Sequence, residues 1–261
     1  MPECDGSLGT NVELEMVLMM VSGNPESTAQ RISGITSLAG YQFISRPSRT
    51  LRDVYLDTPD RELGSKRINL RIRGIDGEFW LTMKIFPRRL SWKRRERLEI
   101  EVPWSQESLA RILGELAKRG VRLKKVEVNR ESSPLQVLLS IGLRVLQDRE
   151  TWRSVRDVVG NDSSSEILAE LDIDQVLYHF EGQDVRLFEV EIEAKSKKGR
   201  SVLGIIAKQL LVQSGPELKQ WRYGKLVTGR KVEKLLKDGA LEADLDGSTL
   251  RPTAFEKIER E

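Results

Sequence analysis

The sequence predicts an α+β protein in which about eight alternating strands close a barrel with a charged interior, flanked by helices. In the segment LFEVEIEAK, Glu189, Glu191 and Glu193 alternate with apolar residues, so they share one face of a strand. In the segment RINLRIRG, Arg71 and Arg73 alternate in the same way with the opposite charge. Because acidic and basic strands follow one design, we expect their polar faces to line a common interior.

The first half of the chain is rich in alternating segments. Ser105 is a suitable helix N-cap and Gly120 a suitable residue beyond a helix end, which predicts a helix at 105–119. Pro25 favours the first turn of another helix, at 26–38. The alternation predicts strands at 11–21, 40–46, 51–57, 67–73, 79–86 and 93–102.

The second half shows the same kinds of signal. We predict a short helix at 134–141, strands at 143–152 and 167–178, the glutamate strand, and a helix at 201–212. As a domain organisation we expect one domain at 11–229, a flexible N-terminal tail at 1–10, and a peripheral C-terminal helix and tail at 230–261.

Composition restricts the functional classes. The 261 residues include 43 basic and 40 acidic side chains, a net charge of +3, which is not the basic excess of a nucleic-acid-binding protein. The single cysteine, Cys4, excludes an intramolecular disulfide. We find no apolar run long enough to span a bilayer and no secretory signal. We therefore expect a cytoplasmic protein without a membrane or nucleic-acid partner.

A charged barrel interior has a high energetic cost unless its charges are paired or bind ions. Carboxylates on one wall would hold Mg²⁺ or Mn²⁺, which prefer oxygen ligands. Guanidinium and ammonium groups on the other wall would bind phosphate oxygens. The pattern therefore suggests a site for a metal ion and a polyanion, in which catalysis requires little beyond positioning and charge stabilisation.

Simpler interpretations exist for each segment alone. A single strand with alternating glutamates is most often a solvated face, and exposed arginines are most often in surface ion pairs. His179 is the only histidine, which excludes a histidine-rich zinc site and leaves no good histidine for a serine triad. The sequence has neither a Walker-type loop nor a G-x-G-x-x-G motif. The charged interior is favoured because about six strands follow the same rule.

The chain begins its alternating pattern with Glu13-Leu14-Glu15-Met16-Val17 and continues with the block VYLDTPDRELGSKRINLRIR. It then contains LTMK, RERLEIEVP, LAELDID, FEVEIEAK and YGKLVTG. Over residues 11–229 these motifs resemble those of the CYTH superfamily, the triphosphate tunnel metalloenzymes. The start is similar to that family's E-x-E-x-K, and the block is similar to its tyrosine, D-T-P, leucine and L-R-I-R signature.

The resemblance implies an eight-stranded antiparallel tunnel that binds triphosphate and a divalent metal, Mg²⁺ or Mn²⁺. It also implies a set of roles. The implied catalytic residues are Glu13, Glu15 and Lys84. The implied metal ligands are Glu13, Glu15 and Glu191, assisted by Glu189 or Glu193. The implied phosphate-binding residues are Arg71, Arg73, Lys84, Arg149 and Lys225. The implied supporting residues are Glu99, Glu101 and Asp172.

One position departs from the family pattern. Val17 stands where the motif has lysine, so one charge-assisted phosphate contact is missing. Such a contact is worth about 1.5–3 kcal/mol, roughly a ten- to hundredfold change in affinity. We consider Arg67 and Arg95 as replacements.

Three functional hypotheses remain open from the sequence. The leading one is a divalent-metal-dependent hydrolase of a small molecule that contains triphosphate. The first alternative, motivated by Val17, is a non-catalytic module that binds polyphosphate or nucleotide. The second is an adenylyl cyclase of class IV type. The sequence does not select the organic group on the triphosphate or the oligomeric state.

Overall fold

The computed structural model describes residues 11–86, 95–124, 132–161 and 166–261, without the side chains of 11–13 and 95–97. The predicted tail at 1–10 lies outside the described residues. The described chain divides into two compact units. The first contains residues 11–13, 55–86, 96–124 and 132–146, and the second contains 14–54, 95, 147–161 and 166–261.

The described residues combine strands with helices, as predicted. The strands are β1 (Asn11–Met20), β2 (Ser37–Leu38), β3 (Tyr41–Ser45), β4 (Arg49–Asp57), β5 (Ile68–Ile75), β6 (Glu78–Ile85), β7 (Arg95–Pro103), β8 (Arg144–Gly160), β9 (Ile167–Phe180), β10 (Gln183–Ala194), β11 (Leu218–Trp221), β12 (Leu245–Asp246) and β13 (Thr249–Leu250). The helices are α1 (Pro25–Ser33), α2 (Glu62–Ser65), α3 (Gln106–Lys118), α4 (Pro134–Ser140), α5 (Gly199–Ser214), α6 (Lys225–Lys237) and α7 (Pro252–Arg260). Within this part of the chain, the strands of eight or more residues are β1 and β4 to β10, eight in number.

In the first unit, β5, β6 and β7 form an antiparallel meander. The register places Arg71 opposite Thr82, and Thr82 opposite Glu101, so these three side chains share one face. Helix α3 contacts β6 and buries Leu109 and Ile112. The meander therefore carries a charged face whose composition follows directly from the alternation in the sequence.

A buried carboxylate organises the turn between β4 and β5. Asp57 Oδ1 accepts hydrogen bonds from the backbone N–H of Thr58 (2.7 Å) and Leu63 (2.9 Å), and Oδ2 accepts one from Gly64 (3.1 Å). The bonds from Leu63 and Gly64 satisfy N–H groups at the start of α2 that would otherwise have no helical partner. The aspartate of the D-T-P motif thus has a structural role, fixing the entry to β5.

In the second unit, antiparallel pairing joins β3, β8, β9, β10, β1 and β11 in that order. The register between β9 and β10 places Glu189 opposite Asp174 and Glu191 opposite Asp172. The register between β1 and β10 places Val17 opposite Glu191. Since directly opposed residues share a face, these acidic side chains lie on one side of the sheet.

The other face of this sheet is apolar. Leu18, Val190 and Ile192 belong to one buried cluster, to which α5 contributes Leu203 and Ile206. Burial of this face forces the alternating polar residues of β9 and β10 onto the opposite side. The hydrophobic core thus fixes which face carries the carboxylates.

The C-terminal residues are part of the second unit and contribute to its core. Helix α7 buries Phe255 and Ile258 in an apolar cluster that also contains Val17, Trp221 and Val232. This cluster lies beside the acidic residues, because Val17 is the cross-strand partner of Glu191. Residues 230–261 therefore contribute core side chains as well as surface.

The helix predicted at 26–38 and the strand predicted at 143–152 differ from the structure by five or more residues at one end. The helix predicted at 26–38 ends at Ser33, because Gly34 takes the C-cap position and Ser37–Leu38 pairs with Tyr41–Gln42 as a strand. The strand predicted at 143–152 continues to Gly160, since Val155 and Val158 extend the buried pattern. Among the helices described here, none is long and apolar enough to cross a membrane.

Candidate functional site

Strands β9 and β10 bring four carboxylates together with two cations, and we call these six residues the β9–β10 cluster. Its members are Arg153, Asp172, Asp174, Glu189, Glu191 and Lys225. Cross-strand register positions the four carboxylates, and β8 contributes the arginine opposite Asp174. When all six groups are ionised, two positive and four negative charges leave a net charge of −2.

Lys225 lies among three of the carboxylates. Its Nζ is 2.8 Å from Asp174 Oδ2 and 2.7 Å from Glu191 Oε1, and it also pairs with Glu189 Oε1. The lysine side chain is 7% exposed and that of Glu189 1%. Burial alone would lower the pKa of Lys225, but the three carboxylates raise it above its ordinary value. The ammonium is therefore held in its charged form.

Arg153 supplies the second cation. Its guanidinium is 2.5 Å from Asp172 Oδ2, 2.6 Å from Asp174 Oδ2 and 3.0 Å from Glu191 Oε2. A second bond, from Nε to Asp174 Oδ1 (2.8 Å), makes the contact with Asp174 bidentate. Burial opposes the charged form, but these carboxylates raise the pKa of Arg153.

Two of the carboxylates have pKa values above the usual range for carboxyl groups. Burial raises the pKa of Glu189 to about 7, against the opposing effect of Lys225. Burial likewise raises the pKa of Asp172 to about 7, against the opposing effect of Arg153. Perturbed carboxylates of this kind concentrate at functional sites, although structural ion-pair networks show them too.

Packing fixes the first turn of α6, where Lys225 is the first residue. The Tyr178 hydroxyl donates to the carbonyl of Lys225 (3.0 Å), and Gln147 Nε2 donates to the carbonyl of Leu226 (3.2 Å). A Cβ at Gly229 would lie 2.3 Å from Gln147 Nε2 and 2.5 Å from the Tyr178 ring. Only glycine allows the helix to approach this closely.

The oxygens of Asp174, Glu189 and Glu191 fit a hard divalent cation. One oxygen from each lies within 4.8 Å of the others, and an all-carboxylate donor set suits Mg²⁺ or Mn²⁺. Glu189 and Glu191 are among the metal ligands predicted from the sequence, whereas Asp174 was not selected. In the sequence, Asp174 alternates with Glu170 and Asp172, and this alternation is the signal that could have identified it.

The other predicted acidic residues have different surroundings. Glu15 is buried on β1 opposite Glu193. Glu193 pairs with Lys195 (2.9 Å), which also reaches Glu170 (3.1 Å). The side chain of Glu13 lies outside the described residues. The structure therefore groups Glu189 and Glu191 with Asp174, while Glu193 belongs to a neighbouring ion-pair group.

Val17 is 2% exposed and packs in the apolar cluster beside the acidic residues. Its cross-strand partner Glu191 instead meets Lys225 and Arg153. Positive charge near Glu191 therefore comes from β8 and α6. The sequence had suggested Arg67 and Arg95 as replacements; Arg67 belongs to the first unit, and the side chain of Arg95 lies outside the described residues.

In the first unit, Arg71, Lys84, Glu99 and Glu101 form what we call the β5–β7 cluster. Arg71 Nη2 is 3.2 Å from Glu101 and 3.7 Å from Glu99, and Lys84 Nζ is 3.0 Å from Glu99. Burial would raise the pKa of Glu101, but Arg71, Arg73 and Lys84 lower it overall, helped by a hydrogen bond from Thr82 (2.7 Å). This cluster is balanced in charge.

Arg149, predicted to bind phosphate, is enclosed. Its Nη2 is 3.0 Å from Asp53 Oδ2, and its Nη1 donates to Gln147 Oε1 (3.1 Å). The arginine and aspartate side chains are 2% and 1% exposed. Sequence reasoning did not identify Asp53, because nothing local links it to a residue 96 positions away.

Comparison with known proteins places these observations in a family. A model of the CYTH domain matches residues 19–220. The chain belongs to the CYTH domain family. A search of curated proteins found no match.

The chain is also similar to several solved structures. A candidate adenylyl cyclase from Hippeastrum, described as having a dominant triphosphatase activity, shares 19% identity over 85% of this chain and 96% of its own, with a TM-score of 0.54. A candidate adenylate cyclase from Bacillus halodurans shares 18% identity over 84% of this chain and 97% of its own, with a TM-score of 0.47. A protein from Pyrococcus horikoshii OT3 shares 19% identity over 87% and 99%, also with a TM-score of 0.47. The family match and the first likeness confirm the predicted fold class, an α+β fold of the CYTH tunnel type.

Proposed function

We propose that the protein is a divalent-metal-dependent hydrolase of a small molecule that contains triphosphate. Membership of the CYTH domain family supports an activity related to triphosphates. The observation that carries the proposal is the convergence of Asp174, Glu189 and Glu191 in a buried cluster with an excess of negative charge.

In this proposal, Asp174, Glu189 and Glu191 hold Mg²⁺ or Mn²⁺, while Glu13, Glu15 and Glu193 remain sequence-based candidates. When bound, such an ion supplies neutralisation of phosphate charge and orientation of a water. Asp172 keeps Arg153 in place through their 2.5 Å contact. The buried setting strengthens each of these electrostatic contacts.

The residues proposed to bind phosphate are Arg71, Arg73, Lys84 and Lys225, while Arg149, which is enclosed with Asp53, remains a sequence-based candidate. Arg71 and Lys84 suit this role because guanidinium and ammonium groups bind phosphate oxygens by charge-assisted hydrogen bonds. Glu99 and Glu101 hold those two cations in position. Lys225 suits phosphate binding because its side chain is flexible, so its ammonium group can leave the carboxylate oxygens and contact phosphate oxygens instead. We further propose that the protein acts in the cytoplasm.

A substrate panel tests the proposed function. Pure protein is incubated with tripolyphosphate, ATP or thiamine triphosphate and with Mg²⁺, Mn²⁺ or EDTA, and orthophosphate is measured. We expect release from at least one substrate, only with metal, and loss of that release in Asp174→Asn. Absence of release from all three with either metal contradicts hydrolysis.

The second candidate is a binding module without turnover. It is favoured by Val17, which removes the lysine of the E-x-E-x-K motif, and by the engagement of Lys225 with three carboxylates. Calorimetry that shows tight binding of tripolyphosphate to a protein that releases no phosphate would select this function. Detection of cyclic AMP in the ATP reaction would instead select the cyclase.

A further inference from the structure

We propose that Lys225 is a built-in cation of the β9–β10 cluster that a divalent metal ion must displace. Metal binding to the ligand-free protein is then weak, and it strengthens when a polyanion draws the ammonium away. The inference deepens the proposed function, since it concerns the same carboxylates. Its first part, the competition between lysine and metal, requires no catalytic activity.

The contacts leave few carboxylate oxygens accessible to a metal ion. Both oxygens of Glu191 are engaged, Oε1 by Lys225 and Oε2 by Arg153. Both oxygens of Asp174 are engaged as well, Oδ1 by Arg153, and Oδ2 by Arg153 and Lys225. A metal ion that uses Asp174 and Glu191 therefore has to replace existing contacts.

Of the two cations, Lys225 is the one that a metal ion can displace from the carboxylates more easily. Arg153 holds Asp174 through two parallel bonds and also reaches Asp172 and Glu191, so its planar group is fixed at several points. Lys225 presents a single point charge on a flexible stem. Its main chain stays in place because Tyr178 and Gln147 hold the first turn of α6.

An ammonium and a divalent cation cannot share these oxygens without strong repulsion, because screening inside the protein is weak. A triphosphate offers the ammonium new oxygen partners and so removes the competitor. By linkage, the metal ion strengthens triphosphate binding by the same factor.

Mn²⁺ binding without any phosphate compound tests the competition. Free Mn²⁺ is measured by electron paramagnetic resonance in titrations of wild type, Lys225→Gln and Lys225→Met. The matched control is Lys234→Met, on the same helix but paired with Glu261. We expect both Lys225 variants to bind one Mn²⁺ at least tenfold more tightly than wild type, and the control to match wild type. Equal affinities in wild type and both Lys225 variants would overturn the proposal.

The additional substitution Asp174→Asn tests whether Mn²⁺ binds to the β9–β10 cluster. In the K225Q background it should abolish the gain in affinity; a gain that persists places the ion elsewhere and overturns the proposal. In wild type, where Lys225 already occupies these oxygens, D174N should lower Mn²⁺ affinity less than it does in the K225Q background. A loss as large in wild type as in K225Q would mean that Lys225 does not compete with the ion, which overturns the proposal.

These measurements are independent of the proposed function. Tighter Mn²⁺ binding in K225Q together with no phosphate release from any substrate would retain the competition and reject hydrolysis. Phosphate release from wild type together with unchanged Mn²⁺ affinity in K225Q would retain hydrolysis and reject the competition.

Discussion

The β5–β7 and β9–β10 clusters are built from the same residue types on alternating strands, yet Glu101 in the first and Glu189 and Asp172 in the second have pKa values shifted in opposite directions. In the first, cations lower the pKa of Glu101. In the second, burial raises the pKa of Glu189 and Asp172 to about 7 despite nearby cations. The difference follows from charge balance and depth. The chemistry of a charged strand face therefore depends on its surroundings, and the excess of buried carboxylates is the reason why we propose the β9–β10 cluster as the metal site.

Removing one cation from each cluster should have the largest effect. Arg153→Met leaves four buried carboxylates with Lys225 alone, so we expect a loss of about 3–5 kcal/mol in the free energy of unfolding. Lys84→Met should cost about 1–2 kcal/mol, because Glu99 keeps Arg71. Urea denaturation of both variants measures the difference. Equal losses would mean that the two clusters are equivalent in stability.

Removing one carboxylate from each cluster should separate them in activity. We expect Glu191→Gln to lower kcat for phosphate release about a hundredfold or more, the scale of several kcal/mol of charge stabilisation. Glu101→Gln should lower it less than about tenfold, since Arg71 keeps Glu99. Steady-state kinetics with saturating Mn²⁺ compares them. A greater loss in E101Q would place the principal site in the β5–β7 cluster.

A methyl group at Gly229 tests how α6 positions Lys225. Gly229→Ala forces a Cβ against Gln147 and Tyr178, so we expect destabilisation of about 1–3 kcal/mol. The matched control is Gly204→Ala in α5, where a Cβ meets nothing within 4 Å. That change should be neutral or stabilising by up to about 1 kcal/mol. Thermal unfolding reports both, and a stable G229A would show that the close approach is not required.

The two clusters should also give pH dependences of opposite sign. Between about 4.5 and about 7 the folded protein keeps a proton on Glu189 that the unfolded chain loses, so this group's contribution to stability falls as pH rises through that window. For Glu101, with its lowered pKa, the contribution is present above about 4.5 and is lost as pH falls.

Thermal unfolding of wild type, Glu189→Gln and Glu101→Gln from pH 4 to pH 8 measures these contributions. In wild type the midpoint temperature should fall as the pH rises towards neutral. E189Q should make this fall smaller, and the remaining fall is due to Asp172. E101Q should reduce the fall on the acidic side. If E189Q leaves the profile unchanged, burial does not raise the pKa of Glu189.

Alternation along single strands was sufficient to predict the fold class and the acidic face of β10. The same alternation contained Asp174, and Arg153 lies one residue beyond the strand predicted at 143–152. Choosing these two residues required the register that places both Glu189 and Arg153 opposite Asp174. Register depends on burial of the opposite face by α5, which no single strand reveals.

Contacts between residues that are far apart in the sequence could not be predicted, for a related reason. Lys225 meets Glu189 from a helix that begins 36 residues later, and Arg149 meets Asp53 from 96 residues away. Local sequence shows that such residues are charged and suggests their role through motifs. It does not show that an internal partner already neutralises them.

The proposed metal site is tested most directly by phosphate release from tripolyphosphate as a function of Mn²⁺ concentration, in wild type and in D174N, with EDTA as the blank. We expect release that is absent with EDTA, rises with Mn²⁺ in wild type, and is lost in D174N. Release that persists with EDTA, or that is equal in D174N and wild type, would contradict metal-dependent hydrolysis at this site.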